Sequence, residues 1–492
     1  MPSPSRRNLI SLCRGGAIAA LALSFLLTAA SAHADPPSVT LAVQRSHLAN
    51  GLEVLLHEDH RTPIVTVNLW YHVGSKDEPR GKNGFAHLFE HVMFQGSKHV
   101  PEDTYFRDLE RAGGTSINGS TSTDRTNYFE TVPKNRLELA LWLESDRMGF
   151  LLDHVDQGTF ASQRDVEKNE RRQNYENAPY GMVAQFLAAE MYPADHPYHL
   201  LTIGSPEDLD AATLDDVRTF FRTWYVPNNA SLVIAGDIDA AQALVLADKY
   251  FGPIPAGTLP DRSKWDHPPA VVLPGEKDLD VAAGVELPRV YMAWSTPAFF
   301  KTGDAELDLL ASVLTSGKTS RLYKRLVYDL QIAESVAAYQ ESSQLTSKFV
   351  IMATAQRGHT AAELRAAIDD ELRKIIAGGG VSPEELARAK AGRVSEIVFD
   401  LDRDSERANR INMYNQLAGD PGYLPRDLGR YETATAEAVA RAAREFLPLD
   451  RRIVAVVTPD KSAPVSGVLR GVTAIPAAPT AAAPAASTGA TR

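Results

Sequence analysis

Apolar positions along the first half of the chain fall into short dense runs and into helical spacing. Runs at 52–56 and 64–71, rich in Val, Ile and Leu, predict strands. From Gly84 onward Phe85, Leu88, Phe89 and Val92 recur at i, i+3, i+4 and i+7, which predicts a helix with Asn83 as its cap. A polar, β-rich stretch follows at 115–132, then helical periodicity at 137–150 and 163–176. A closing strand is expected at 231–235, before Gly236-Asp237.

After a segment rich in Pro, Gly and charge at 252–275, the same order returns. It runs through a strand at 289–294, a helix at 305–314, a β-stretch at 348–355, helices at 361–376 and 383–399, and a last strand at 453–458. Duplication of one unit is the economical reading. The expected fold class is therefore α+β, with two homologous α/β-sandwich domains at 35–251 and 276–461 joined by a linker at 252–275. Beyond 461 the chain turns to Ala, Pro, Ser and Thr, which cannot bury a core, so 462–492 is expected to be a disordered tail.

With 44% apolar and 23% charged residues, the chain has the composition of a globular protein. Its first 34 residues are read apart from the fold. Arg6, Arg7 and Arg14 precede an apolar stretch at 17–30, and Ala32-His33-Ala34 offers a cleavage site, which predicts a secretory signal peptide cut after Ala34. The apolar run is too short for a stable membrane anchor. Ser5-Arg6-Arg7-Asn8-Leu9-Ile10 also resembles a twin-arginine export signal, and a periplasmic location is expected. Cys13, the single cysteine, lies inside this segment, so the mature chain has no disulfide, thiolate nucleophile or cysteine metal ligand. Loss of the three arginines takes the net charge from −11 to −14, which argues against a nucleic-acid partner.

The chemistry is concentrated in His87-Leu88-Phe89-Glu90-His91. On a helix, histidines at i and i+4 share one face and both imidazoles can reach one ion. Glu90 beside them can take a proton from a water that zinc has acidified to a pKa of about 7. This H-x-x-E-H order is the inverted zinc-hydrolase signature. A core helix with two incidental histidines would leave three buried polar groups in need of partners. Gly317-Lys318-Thr319 looks like the end of a phosphate loop, but Ser312 stands where that loop needs glycine.

Catalytic zinc takes three protein ligands and one open position. The best supply for the third is the segment from Gln163 to Arg172, which resembles the second conserved helix of the pitrilysin, insulysin and mitochondrial processing peptidase family. The resemblance extends over most of the mature chain. It includes Asn50-Gly51-Leu52, the stretch 84–97, Asn118, Thr123-Asp124-Arg125-Thr126-Asn127-Tyr128, and Asn177-Ala178-Pro179-Tyr180-Gly181. It continues through Trp224-Tyr225-Val226-Pro227-Asn228-Asn229 and Ser320-Arg321-Leu322-Tyr323. It implies that Glu170, 79 positions after His91, completes a Zn2+ site with His87 and His91. Glu167, one turn earlier, is the auxiliary and reserve candidate. It further implies that two such chains, four domains in all, close as a clamshell around an unfolded peptide. The expected activity is zinc-dependent endopeptidase cleavage, with Glu90 as the base. The strand near 117–121 would pair with substrate backbone, and Asn118 would offer hydrogen bonds beside the metal.

Two departures matter. Where the family usually carries a glutamate seven residues before the third ligand, this chain has Gln163. In the second half, the segment 316–324 lacks His and Glu, and Val327 and Glu334 occupy positions that resemble those of a substrate-contacting Arg and Tyr. A homodimer would present no such pair. A heterodimer with a homologous subunit that supplies Arg and Tyr is therefore favoured. The alternatives are a noncatalytic peptide-binding subunit of the same fold and a hydrolase of another bond class.

Overall fold

The computed structural model describes residues 39–477. The predicted signal peptide and residues 478–492 lie outside the described residues. In the first half, β1 (Gln44–His47), β2 (Glu53–Glu58) and β3 (Ile64–Tyr71) lead into α1 (Phe85–Val92) and α2 (Tyr105–Arg111). The hairpin β4 (Thr115–Thr121) and β5 (Thr126–Pro133) follows. Then come α3 (Leu137–Phe150), α4 (Gln157–Arg171), α5 (Val183–Met191), α6 (Pro206–Ala211), α7 (Leu214–Trp224), β6 (Ala230–Gly236) and α8 (Ala240–Phe251). The second half runs β7 (Gly275–Ala283), β8 (Arg289–Thr296), α9 (Asp304–Thr315), β9 (Ala333–Glu341), β10 (Ser347–Ala355), α10 (Ala361–Lys374) and α11 (Pro383–Asp400). It ends with α12 (Asp404–Ala418), α13 (Leu424–Thr433), α14 (Ala436–Phe446), β11 (Ile453–Pro459) and β12 (Val468–Pro476).

Each half forms one six-stranded sheet, ordered β1-β2-β6-β3-β5-β4 in the first and β12-β7-β11-β8-β10-β9 in the second. The orders match strand for strand, including one parallel pair in each, β2 with β6 and β7 with β11. The duplication is thus present in the topology. One edge position differs in origin, because β1 comes from the start of the chain and β12 from its end.

That strand overturns part of the expected tail. Residues 468–476 pair antiparallel with β7, and the carbonyls of Val465 and Ser466 accept from the backbone N–H groups of Tyr180 and Met182. The residues are mostly exposed, as the composition demands, yet an edge strand needs backbone hydrogen bonds more than buried side chains.

Strands β2 and β3 are buried on both faces, which explains why they read as continuous apolar runs rather than alternating ones. One face of the first sheet packs on α3 and α8, and α12 of the second half covers the other. There the buried Asn412 donates to the Asn68 carbonyl at 2.9 Å and accepts from Ser231 Oγ at 2.7 Å. In return, α5 of the first half lays Val183, Leu187 and Met191 against Leu279 and Ala455 of the second sheet. Each half lends a helix to the other, so the boundaries at 251 and 276 follow the sheets but not the packing. The linker is also held down: Trp265 Nε1 donates to Asp77 at 3.1 Å, and the Arg262 guanidinium lies 4.6 Å from the Trp224 ring.

Candidate metal centre

Helix α1 is short, and its placement depends on its ends and its apolar face. Phe85, Ala86, Leu88, Phe89 and Val92 are buried, with Phe89 packed 5.4 Å from the Phe220 ring and 5.0 Å from that of Tyr225. The opposite face is left to His87, Glu90 and His91. Asn83 does not cap the helix. Gly84 takes that position with φ 105°, and the free N–H groups of Gly84 and Ala86 donate to the Glu78 carboxylate at 3.0 and 2.8 Å. Asn83 instead donates its side-chain amide to Glu78. A carboxylate reaching from outside the helix satisfies two orphan donors at once, which a short Asn side chain cannot do. Gly84 is also fixed by proximity, since a Cβ there would stand 2.9 Å from the Cα of Gly204.

Helix α4 packs beside α1 and starts at Asp156, whose carboxylate caps the N–H groups of Gly158 and Thr159. Phe160, Gln163, Glu167 and Arg171 form its buried face. Arg171 anchors its end, donating to the Gly204 carbonyl and the Gln185 side chain at 2.6 Å each. This carries the neighbouring Glu170 to the edge of α1.

The two helices bring together His87, His91 and Glu170, each offering one ligand atom within 4.8 Å of the others. Glu170 Oε2 lies 3.2 Å from His91 Nε2 and 3.7 Å from His87 Nε2. His91 Nε2 is buried without a hydrogen-bond partner. Burial lowers the pKa of both imidazoles, that of His87 to about 4, so both are neutral with a free lone pair near neutral pH. Two neutral imidazoles, a carboxylate and an orphaned ring nitrogen fit a zinc ion, whose structural chemistry calls for this donor set. Among the described residues this is the one His, Cys, Asp and Glu cluster of metal-binding size, and it lies in the first half.

Glu90 turns to the sheet rather than to Glu170. Its Oε2 accepts from Thr121 Oγ1 at 2.6 Å. Burial raises its pKa, while the Thr121 hydroxyl and the Arg125 guanidinium oppose the shift. Thr121 belongs to β4, the free edge of the first sheet. A Cβ on Gly119, two residues earlier, would stand 3.1 Å from Glu90 Cγ. Positions 119 and 121 therefore face Glu90, and strand alternation turns the exposed Asn118 to the opposite face, where its own side chain accepts from the Gly119 N–H. Asn118 is thus not brought to the base, whereas Gly119 and Thr121, unnoticed in the sequence, are. The period of two along 117–121 is the signal that could have found them.

Glu167, the reserve ligand, is not one of the three. It is fully buried and faces the far nitrogen of His87, Nδ1, at 3.3 Å. In the second half Val327 is partly buried against the core and Glu334 is exposed on β9. A cleft of about 660 Å3 opens at the N-terminal end of α1, lined in part by Phe85, Trp224 and Trp265, and includes none of the three clustered residues.

Two family models match the chain: insulinase (peptidase family M16) over residues 53–201 and the peptidase M16 inactive domain over residues 211–393. The zinc protease PqqE of Helicobacter pylori is 30% identical over 378 residues, spanning 75% of this chain and 82% of that protein. The chain belongs to peptidase family M16. A crystal structure of a Helicobacter pylori protease superposes with TM-score 0.79 at 27% identity, covering 85% of this chain and all of that one. The first half of the periplasmic protease PqqL of Escherichia coli shares the M16 fold, with TM-score 0.70 at 19% identity over 87% of this chain and 94% of that structure. Against the full PqqL structure, the chain spans 49% of its length. Both halves seen here, sheet plus helices, are thus the two domains of an M16 half. Among the described residues no helix is long and apolar enough to cross a membrane.

Proposed function

We propose that this chain is the zinc-bearing subunit of a periplasmic endopeptidase that cuts peptides or unfolded segments inside a two-subunit chamber. The observation that carries the reading is the convergence of His87, His91 and Glu170 on one point, with a buried carboxylate, Glu90, on the same helix. His87, His91 and Glu170 would hold zinc, which when bound supplies a Lewis acid that acidifies water and polarises a carbonyl. Glu90 takes the proton of the attacking water and returns it to the leaving amine. Thr121 holds the Glu90 carboxylate in place through the one hydrogen bond it accepts.

The free edge of β4 receives the peptide as an added strand, with the backbone N–H and C=O groups of the edge supplying register. The exposed Asn118 amide borders that edge on its other face. Such pairing reads backbone, so selection falls to the size and pockets of the chamber. A homologous partner closes it. His91 and Glu170 remain partly exposed, and Val327 and Glu334 stand at the positions that resemble those of the substrate-contacting Arg and Tyr. A partner carrying that pair completes the site, which favours a heterodimer over a homodimer. Export rests on the pattern of residues 1–34 and on the likeness to the periplasmic protease PqqL.

A noncatalytic peptide-binding subunit would share the fold, and the inactive-domain model covers much of the second half. The metal cluster in the first half separates the two readings. The test is hydrolysis of an internally quenched peptide by the mature chain, with and without the homologous partner, before chelation, after it, and after zinc is returned. Cleavage lost on chelation and restored by zinc is expected; cleavage indifferent to chelation would overturn the reading.

A further inference from the structure

Glu167 lies one turn before the end of α4 and is 0% exposed. A buried carboxylate normally has a cation or several donors beside it. This one has a single contact: Oε1 faces His87 Nδ1 at 3.3 Å, and Oε2 is buried with no hydrogen-bond partner. Burial foremost, and then the neighbouring acids Glu78, Glu170 and Glu90, raise its pKa well above the ordinary carboxyl range. Gln163, one turn earlier on the same buried face, is neutral. The backbone leaves no slack around it, since a Cβ on Gly84 would approach Oε1 to 3.2 Å and Gly204 closes the other side of Gly84. A carboxyl built so tightly into the interior, with one oxygen unpartnered, has no account within the metal-free fold.

The geometry of His87 gives it one. An imidazole that donates from Nδ1 is the tautomer whose lone pair sits on Nε2. Nε2 of His87 is the nitrogen turned toward Glu170, and His91 likewise presents Nε2. Carboxylates in this relation to a metal-bound histidine fix the ring and raise its basicity.

We propose that Glu167 is the positioning residue of the metal site: it holds His87 in the Nδ1–H tautomer, so that the Nε2 lone pair faces the point shared with His91 and Glu170. This rests on the zinc reading above and adds a cost to it. The metal-free protein keeps a carboxyl oxygen without a partner in its interior, so metal binding and folding stability are set against each other at one residue that does not touch the metal.

The coupling has an opposite-sign signature that a packing defect cannot produce. Glu167→Leu should raise the melting temperature of the metal-free protein while weakening zinc about 10- to 100-fold in competition with a chromophoric chelator. Glu167→Gln keeps an acceptor for Nδ1–H and should retain most of the affinity. In the metal-free wild type, long-range nitrogen–proton correlations of labelled histidine should place the His87 proton on Nδ1, assigned by its loss in His87→Gln. In Glu167→Leu that preference should relax. Unchanged zinc affinity in Glu167→Leu, or a wild-type His87 proton on Nε2, would overturn the inference. If Glu167→Leu does not fold, Glu167→Gln and the wild-type tautomer still decide it. Failure of the wild type to bind zinc would instead bring down the functional reading, leaving the tautomer to report on Glu167 alone.

Discussion

At the scale of single residues, the members of the His87, His91 and Glu170 cluster were legible because their chemistry is local. His87 and His91 sit one helical turn apart in sequence, and a short pattern sufficed to join them with Glu90. Glu170 required the resemblance of a second helix, since nothing in a run of charged residues says which carboxylate turns inward. Glu167, the auxiliary candidate, is buried against His87 rather than set in the cluster, because α4 carries a polar residue on the face that packs against α1. Thr121 and Gly119 were invisible for a related reason: their role depends on a strand running beside α1. The contact at Thr121 is testable. Thr121→Val should lower kcat about tenfold with little change in KM or zinc content, the loss of one hydrogen bond to a charged group, and Thr121→Ser should recover it. Gly119→Ala puts a methyl 3.1 Å from Glu90 Cγ and from the Phe94 ring. It should cost about 10- to 100-fold in kcat, again with zinc retained, as expected for a displaced base. Steady-state kinetics alongside metal analysis checks both.

At the scale of elements, apolar runs located the central strands of both sheets, since these are buried on two faces. Edge strands were harder. β12 has the composition of a tail, because its pairing with β7 leaves most of its side chains in water. Its contribution extends beyond the sheet, since Val465 and Ser466 accept from Tyr180 and Met182 in the loop beyond the Glu170 helix. Tyr180 holds φ 62°, an uncommon conformation for a bulky residue that its surroundings must enforce. Removing residues 462–492 should lower the melting temperature by about 5 °C or more. It should also open the 177–182 loop to limited proteolysis. Unchanged melting and an unchanged digestion pattern would mean that the strand is dispensable.

At the scale of the whole molecule, the two halves are bound by exchange of α5 and α12 and by polar contacts under α12. His72 belongs to that region, with Nε2 3.0 Å from Ser231 Oγ, which in turn donates to Asn412. Burial first, and Arg262 second, bring its pKa from 6.5 down to about 4. The folded state therefore excludes a proton that the unfolded chain accepts. Stability is whole above pH 6.5 and falls as pH drops from 6.5 toward 4, by up to about 1.4 kcal/mol per pH unit. His72→Gln should flatten that part of the urea-midpoint curve against pH. The duplicated sheets were foreseeable from the repeated order of strands and helices, whereas the exchange of helices was not, because it joins elements far apart in the sequence.

The central claim is that His87, His91 and Glu170 hold zinc while Glu90 moves the proton. Metal content and cleavage of a quenched peptide, measured in the same samples of wild type, Glu90→Gln and His91→Ala with the homologous partner present, test it directly. The account predicts one zinc and cleavage in the wild type, one zinc without cleavage in Glu90→Gln, and neither in His91→Ala. Cleavage that survives Glu90→Gln, or zinc that survives His91→Ala at full stoichiometry and affinity, would contradict it.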